Sequence, residues 1–268
     1  MDEPQPGSVT VVIPSFNPGK YLNNALDSVF SQTFVEWRLI LIDDGSTDNS
    51  LEEAKSYLSD PRVRLIRNET NRGQAESLNR GLMEVTSEYF LQLDADDWLA
   101  TNAIERFLAE AKCVDDDVGL IVSSVVIFNE DNGEERPVRQ KKWGEHYANR
   151  YQMLLANLFP WQKFYRTAAL KAFGGWPADP EGRWTNVEDL AIFLRLIETF
   201  KIHWVDELLY YYRIHSSNIT SDRQKTAGGV EYLIRDALER WGSEYVPVFV
   251  DTPDGWRVLG GLLSEQVS

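Results

Sequence analysis

The chain has a single cysteine, Cys113, so no intrachain disulfide can form and nothing points to an oxidising compartment. Its residue type predicts a small, buried apolar side chain. Positive charge is also scarce: 27 Lys and Arg against 42 Asp and Glu give a formal net charge of −15. That balance argues against nonspecific nucleic-acid binding and against an anionic membrane surface, since both need a basic face. A phosphorylated substrate is compatible with it, provided a metal or a few arginines neutralise the phosphates locally. No stretch reaches the ~20 apolar residues of a membrane span. The opening residues, MDEPQPGS, lack the basic start and apolar run of a signal peptide. The expectation is a cytoplasmic protein with no transmembrane segment. No internal repeat, low-complexity tract or linker cuts the chain into independent domains.

What the sequence does have is aromatic residues, nine of them Trp, which serve a core and also suit a site that handles rings or sugars. It also has a regular alternation of strand-like and helix-like stretches. Val9 to Ile13 is an apolar, β-branched run that reads as a strand buried on both faces, and Pro14 stops it. Lys20 to Gln32 carries apolar residues at helical spacing. Strands are predicted at Arg38 to Ile42, Val63 to Ile66 and Tyr89 to Leu93. Helices are predicted from Ser50 to Leu58, where Ser50 and Glu53 have capping-box spacing, from Gln74 to about Val85, and from about Thr101 to Lys112. Four such alternations imply right-handed βαβ units and a parallel sheet covered by helices. Ligands of such sheets bind outside the carboxyl ends of the strands. The polar loops PSFN, DDGS and DADD all fall there.

The second half is less regular. Leu120 to Phe128 reads as a strand, Asn129 to Arg139 as charged and turn-rich, and Tyr151 to Leu158 as helical. FPWQKFYR, Phe159 to Arg166, does not read as helix, whereas Thr167 to Phe173 and the amphipathic stretch Asn186 to Phe200 do. Strand-like pieces follow at Ile202 to Val205 and Leu208 to Ile214, and a helix at Gly229 to Trp241.

The chemistry concentrates in YFLQLDADDWL, Tyr89 to Leu99. In an extended segment Asp94 and Asp96 project to one side and Ala95 to the other. Two carboxylates in one small volume either share a proton or hold a cation, and an oxygen-rich set suits Mg²⁺ or Mn²⁺. Taken alone, the cluster equally describes solvated loop or helix-cap residues.

The ordered motifs VVIPSFN, IDDGSTDNS, LDADDW, EDLAIFLRL and YYRIHSSNIT closely resemble those of family-2-type inverting glycosyltransferases with the GT-A fold. The resemblance implies an α/β, mostly parallel Rossmann-like sheet with helices on both faces and a smaller acceptor-side subregion. It places the transferase domain at 9–220, with a nucleotide-sugar half at 9–112 and an acceptor half at 113–220, between a tail at 1–8 and a helical extension at 221–268. It further implies a nucleotide-sugar donor, with a UDP-sugar favoured, a divalent Mn²⁺ or Mg²⁺, and a hydroxyl acceptor that is a glycan, a lipid-linked sugar or a small molecule.

Carried over residue by residue, Pro14, Ser15 and Asn17 line the nucleotide and Asp44 reads the base. Arg72 approaches the nucleotide and Asp94, with Ala95, holds the ribose. Asp96 binds metal with Asp97 as the competing ligand, His215 completes the metal shell, and Arg213 offsets phosphate charge. Asp189 is the general base with Glu188 as runner-up, and each is alternatively a plain helix-dipole partner. On the acceptor side stand Trp161, Trp176 and Trp184. The competing readings are a sugar-1-phosphate nucleotidyltransferase, for which PSFNPGK lacks the basic, Gly-rich loop, and a non-catalytic donor-binding domain.

Overall fold

The computed structural model describes residues 5, 7–131, 134–141, 147, 149–157, 163–179, 181–184, 186–215, 223–253 and 256–264. The first half runs β1 (Val9–Ser15), α1 (Tyr21–Phe30), β2 (Trp37–Asp43), α2 (Ser50–Glu53), α3 (Lys55–Leu58), β3 (Val63–Arg67), α4 (Gln74–Glu84), β4 (Tyr89–Gln92), β5 (Trp98–Leu99) and α5 (Ala103–Ala111). The second half runs β6 (Val118–Asp131), β7 (Glu134–Lys141), α6 (Arg150–Leu155), β8 (Lys163–Arg166), α7 (Thr167–Ala172), α8 (Glu188–Leu196), β9 (Lys201–Ile214), α9 (Arg223–Arg240), β10 (Tyr245–Asp251) and β11 (Arg257–Ser264).

Nine strands form one sheet in the order β3-β2-β1-β4-β8-β6-β9-β5, with β7 on β6. The β3-β2-β1-β4 block is parallel, as is β6 on β9. The strands alternate between two cores as period-2 geometry demands. Val12, Ile40 and Ile42 join Leu78 and Leu82 of α4 and the buried residues of α8 and α9. Val11, Ile13, Leu39 and Leu41 meet Leu22 and Leu26 of α1 and Phe107 of α5 on the opposite face. Gly81 allows α4 to sit this close: a Cβ there would lie 2.7 Å from Ile42 Cδ1 and 2.9 Å from Val12 Cγ1.

Several expectations change. The segment 129–139 is no loop, since β6 runs to Asp131 and pairs antiparallel with β7. FPWQKFYR contributes β8, which runs antiparallel to both β4 and β6 and joins the two halves of the sheet. The two pieces around Asp206 are one long strand, β9, whose register against β6 shifts near Ser123 and Ser124. The Ser50/Glu53 capping box does not form: α2 starts after Asn49 with no side-chain cap, and Ser50 Oγ donates to Asp48 instead. Cys113 is exposed, not core. The extension is a helix followed by the antiparallel β10–β11 hairpin, one side of which buries Leu259 while Val246, Val248 and Leu263 stay exposed. Among the described residues, no helix is long and apolar enough to cross a membrane.

Candidate active site

The carboxyl ends of β1, β2, β3 and β4 are laced together into a rigid floor. Asp44 N donates to Ser15 O at 2.8 Å and Asn68 N to Asp43 O at 2.8 Å. Buried Asp44 accepts three bonds: Oδ1 from Asn68 Nδ2 (2.7 Å) and Arg72 N (2.9 Å), Oδ2 from Gly73 N (2.8 Å). Its neighbour Asp43, wholly buried, accepts from Ser46 N and Arg67 Nε and is structural. Asn17, at φ 47, takes the turn conformation Asn tolerates, and its Oδ1 accepts from Thr47 N at 2.7 Å, clamping the PSFN loop to the DGST loop. Gly45, at φ +77, lets that loop pack against the backbone of Thr70, where a Cβ would lie 2.9 Å from the Thr70 carbonyl carbon. Beside this floor Pro14 is half-buried and Ser15 is buried, its Oγ having no hydrogen-bond partner among the described residues. Arg72 contributes through its backbone; its guanidinium pairs with Glu76 at 2.6 Å, half-exposed.

The acidic cluster is a turn, not the extended segment expected: β4 ends at Gln92, and Asp97 N donates to Asp94 O at 3.1 Å. Asp94 and Asp96 are nonetheless on the open side, while Ala95 and Asp97 are buried. Asp94 Oδ1 accepts from Gln74 Nε2 (2.9 Å) and Gln92 Nε2 (3.0 Å). Burial pushes the Asp94 carboxyl up, Lys163 pulls it back, and Asp189 and Asp96 push it up further. Asp96 Oδ2 lies 3.0 Å from His215 Nε2. Asp97, the other candidate ligand, faces inward. It is 1% exposed and spent on Tyr210 OH (2.7 Å) and Arg213 N (2.8 Å), and burial holds its carboxyl well above the usual range.

Arg213, 2% exposed, stands beneath this turn. Its guanidinium lies 4.6 Å from the Tyr21 ring and 4.7 Å from the Trp98 ring, and Nε donates to Asp96 O at 2.9 Å. It fixes the turn that presents Asp96, and burial draws its basicity down. Tyr21 packs on His215 with ring centroids 4.6 Å apart, and its hydroxyl donates to Glu130 at the far end of β6.

Across the site, α8 opens with Glu188 and Asp189 in its first turn. Asp189 Oδ2 accepts from Lys163 Nζ at 2.5 Å, and the same ammonium is 3.6 Å from Asp94 Oδ2. The Lys163 side chain is 1% exposed. Burial alone would lower its basicity, but Asp189 and Asp94 outweigh that and hold it above the usual lysine value. Glu188 accepts from Asn186 N, and burial raises its carboxyl.

A sequence profile for Glycosyl transferase family 2 matches residues 10–174, more than half of the chain. The chain belongs to that family. A relative in Streptococcus pneumoniae serotype 4, the glycosyltransferase GlyG, is 34% identical over 126 residues, 47% of this chain and 41% of GlyG. The chain thus spans less than half the length of that relative. Its GT-A fold is shared with S. aureus TarS 1-349 in complex with UDP-GlcNAc, at TM-score 0.68 and 23% identity over 86% of this chain and 66% of that one. It is shared also with the mannosyltransferase PcManGT of Pyrobaculum calidifontis in complex with GDP-Man and Mn²⁺, at TM-score 0.64 and 17% identity over 86% and 64%.

In this member of the family the loops after β1 and β2, the acidic turn and the first turn of α8 lie together, Gly73 bonded to Asp44, Gln74 to Asp94, and Lys163 set between Asp94 and Asp189. Trp161 and the loop Ser216 to Thr220 lie outside the described residues. Trp176 is core, 2% exposed against Phe90 and Tyr165. Trp184 is half-buried and stacked on Tyr232 at 5.3 Å. Sequence reasoning missed Lys163, Gln74 and Gln92. Lys163 and Gln92 were recoverable in part: a Lys or Gln inside an otherwise apolar strand demands a polar partner.

Proposed function

We propose that this enzyme is a metal-dependent inverting glycosyltransferase that moves a sugar from a UDP-sugar to an acceptor hydroxyl of a glycan, a lipid-linked sugar or a small molecule. The observation that carries the reading is the pairing of Asp94 and Asp189 on one buried ammonium, with the Asp96–His215 pair on the same turn as Asp94. Pro14, Ser15, Asn17, Asp44 and the Arg72 backbone form the nucleotide floor, and Asp94 with Ala95 meets the ribose. Asp96 Oδ2 and His215 Nε2, 3.0 Å apart, are the two groups that would hold the ion. With no group of three or more such ligands among the described residues, the pair suits Mn²⁺ or Mg²⁺, which commonly keep positions for water and substrate phosphates. Such an ion supplies Lewis-acid stabilisation of the charge that builds on a leaving diphosphate.

The chain's own residues do the rest. Asp189, on the rigid first turn of α8, accepts the proton of the acceptor hydroxyl as its oxygen attacks the anomeric carbon from the face opposite the diphosphate. Glu188, tied to Asn186 N, shapes the acceptor side, with Trp161 as the expected platform. Nothing in the PSFNPGK loop supplies the basic, Gly-rich cradle that triphosphate chemistry would need.

A thermal-shift screen of UDP- and GDP-sugars with and without Mn²⁺ tests this, because a bound donor raises stability by mass action. Metal-dependent stabilisation by a UDP-sugar, followed by a product of inverted anomeric configuration by NMR, is the expected result. No metal-enhanced response to any nucleotide diphosphate, or a retained configuration, overturns it.

A further inference from the structure

Lys163 opens β8, where it pairs in register with Gln92. That places its side chain beside the end of β4, against the acidic turn. A lysine so thoroughly buried is costly unless paired, and its two partners are held very differently. Asp94 is already fixed without it, since Gln74 and Gln92 both donate to Oδ1. Asp189 receives one side-chain donor among the described residues, Lys163 on Oδ2. Its Oδ1 is shielded from solvent and has no hydrogen-bond partner among those residues.

We infer that Lys163 is the positioning residue of the base. Its ammonium clamps Oδ2 of Asp189 and so fixes the orientation of the carboxylate that takes the acceptor's proton. It also offsets one of the two negative charges of Asp94 and Asp189, between which donor and acceptor meet. The inference rests on the reading of Asp189 as general base. The proton balance is simple: the acceptor O–H bond breaks, its proton passes to the Asp189 carboxylate, the new O–C bond forms at the anomeric carbon, and the C–O bond to the diphosphate breaks with its electron pair. Lys163 neither gives nor takes a proton. Tyr165, on the same strand and the same face, is raised by burial and by Asp189 and Asp94, so no second acid competes for that role.

The test uses four variants of the full chain: Lys163→Met, Lys163→Gln, Asp189→Asn and Lys163→Met with Asp189→Asn. UDP affinity in saturating Mn²⁺ is read by calorimetry, and turnover as UDP release from whichever of UDP-GlcNAc, UDP-Glc, UDP-Gal and GDP-Man gives the largest thermal shift, GDP replacing UDP in the last case. Lys163→Met is expected to lose ~100-fold or more in kcat, the scale of a misplaced general base. Its nucleotide affinity should stay within about threefold, a loss confined to the transition state. Lys163→Gln, which keeps an N–H donor, should recover part of kcat. In the Asp189→Asn background, Lys163→Met should cost nothing further. If it costs the same factor there as in the parent, or if nucleotide affinity collapses while kcat holds, Lys163 acts elsewhere and the inference is overturned. If Asp189→Asn alone turns over like the parent, the base assignment itself fails, an outcome separate from anything Lys163 does.

Discussion

Asp96 and Asp97 adjoin in sequence and have opposite fates. Asp97 is a buried acceptor for Tyr210 OH and Arg213 N, so Asp97→Ala strands two donors and should cost about 2–4 kcal/mol in urea unfolding. Asp96→Ala, at a partly exposed carboxylate, should leave stability near the parent's and abolish the Mn²⁺ enhancement of UDP binding seen by calorimetry. Glu188 gives a pH test. Because burial raises its carboxyl in the folded chain, its protonation favours the fold. That contribution is complete below about pH 4, where the unfolded carboxyl also holds its proton, and is lost as pH rises through the raised folded value. Glu188→Gln cannot ionise, so its Tm relative to the parent should climb as pH rises above about 4, in scanning calorimetry. An unchanged difference would show that Glu188 is not strained in the fold. At this scale spacing alone put Asp94 and Asp96 on one side, and only the family resemblance set His215 beside Asp96, where the two lie 3.0 Å apart. The sequence was not legible where the role depends on a turn closing, which is what sends Asp97 inward, or on a distant strand arriving, which is what brings Lys163 to Asp189.

Among the elements, α4 shows how the first half of the chain is tied to the second. Asn79 donates to Trp176 O and accepts from Trp176 N, both at 2.8 Å, gripping the loop after α7 as a neighbouring strand would. Asn79→Ala should lose both bonds and lower stability by about 1–3 kcal/mol in chemical denaturation, with little change in UDP affinity. The parallel block was readable because each of its strands is a short apolar run framed by an amphipathic helix. The antiparallel additions were not. β7 is charged along its length and is a strand only because β6 offers it an edge, and β8 has four residues, too few for any period to declare itself. The reading of two strand pieces near Asp206 failed for a related reason, since Asp206 and Glu207 break the apolar pattern at the point where β9 shifts register but does not end.

For the whole molecule, charge and the C-terminal extension set the terms. A chain at −15 repels a free nucleotide diphosphate, so in EDTA the UDP affinity should be weak and should rise with salt as repulsion is screened over a Debye length of about 8–10 Å. With Mn²⁺ present the salt dependence should flatten, and turnover should return only then. Affinity in EDTA equal to that in Mn²⁺ would remove the need for the ion. The hairpin β10–β11 covers part of the core: Leu259 is 2% exposed and its backbone is bonded at both N and O by the Asn157 side chain. A chain ending after Gly242 should therefore melt at least about 5 °C lower, given the 2–4 °C per kcal/mol of a chain this long.

The placement of β8 between β4 and β6 carries one last consequence. Phe164 belongs to one core and Tyr165 to the other. Were that short strand to slide by one residue, every side chain on it would swap sides, driving a phenyl ring among carboxylates and an ammonium into hydrocarbon. Misassembly at the seam is thus penalised on both faces at once, and a molecule that has closed its sheet correctly has, by the same event, armed its chemistry.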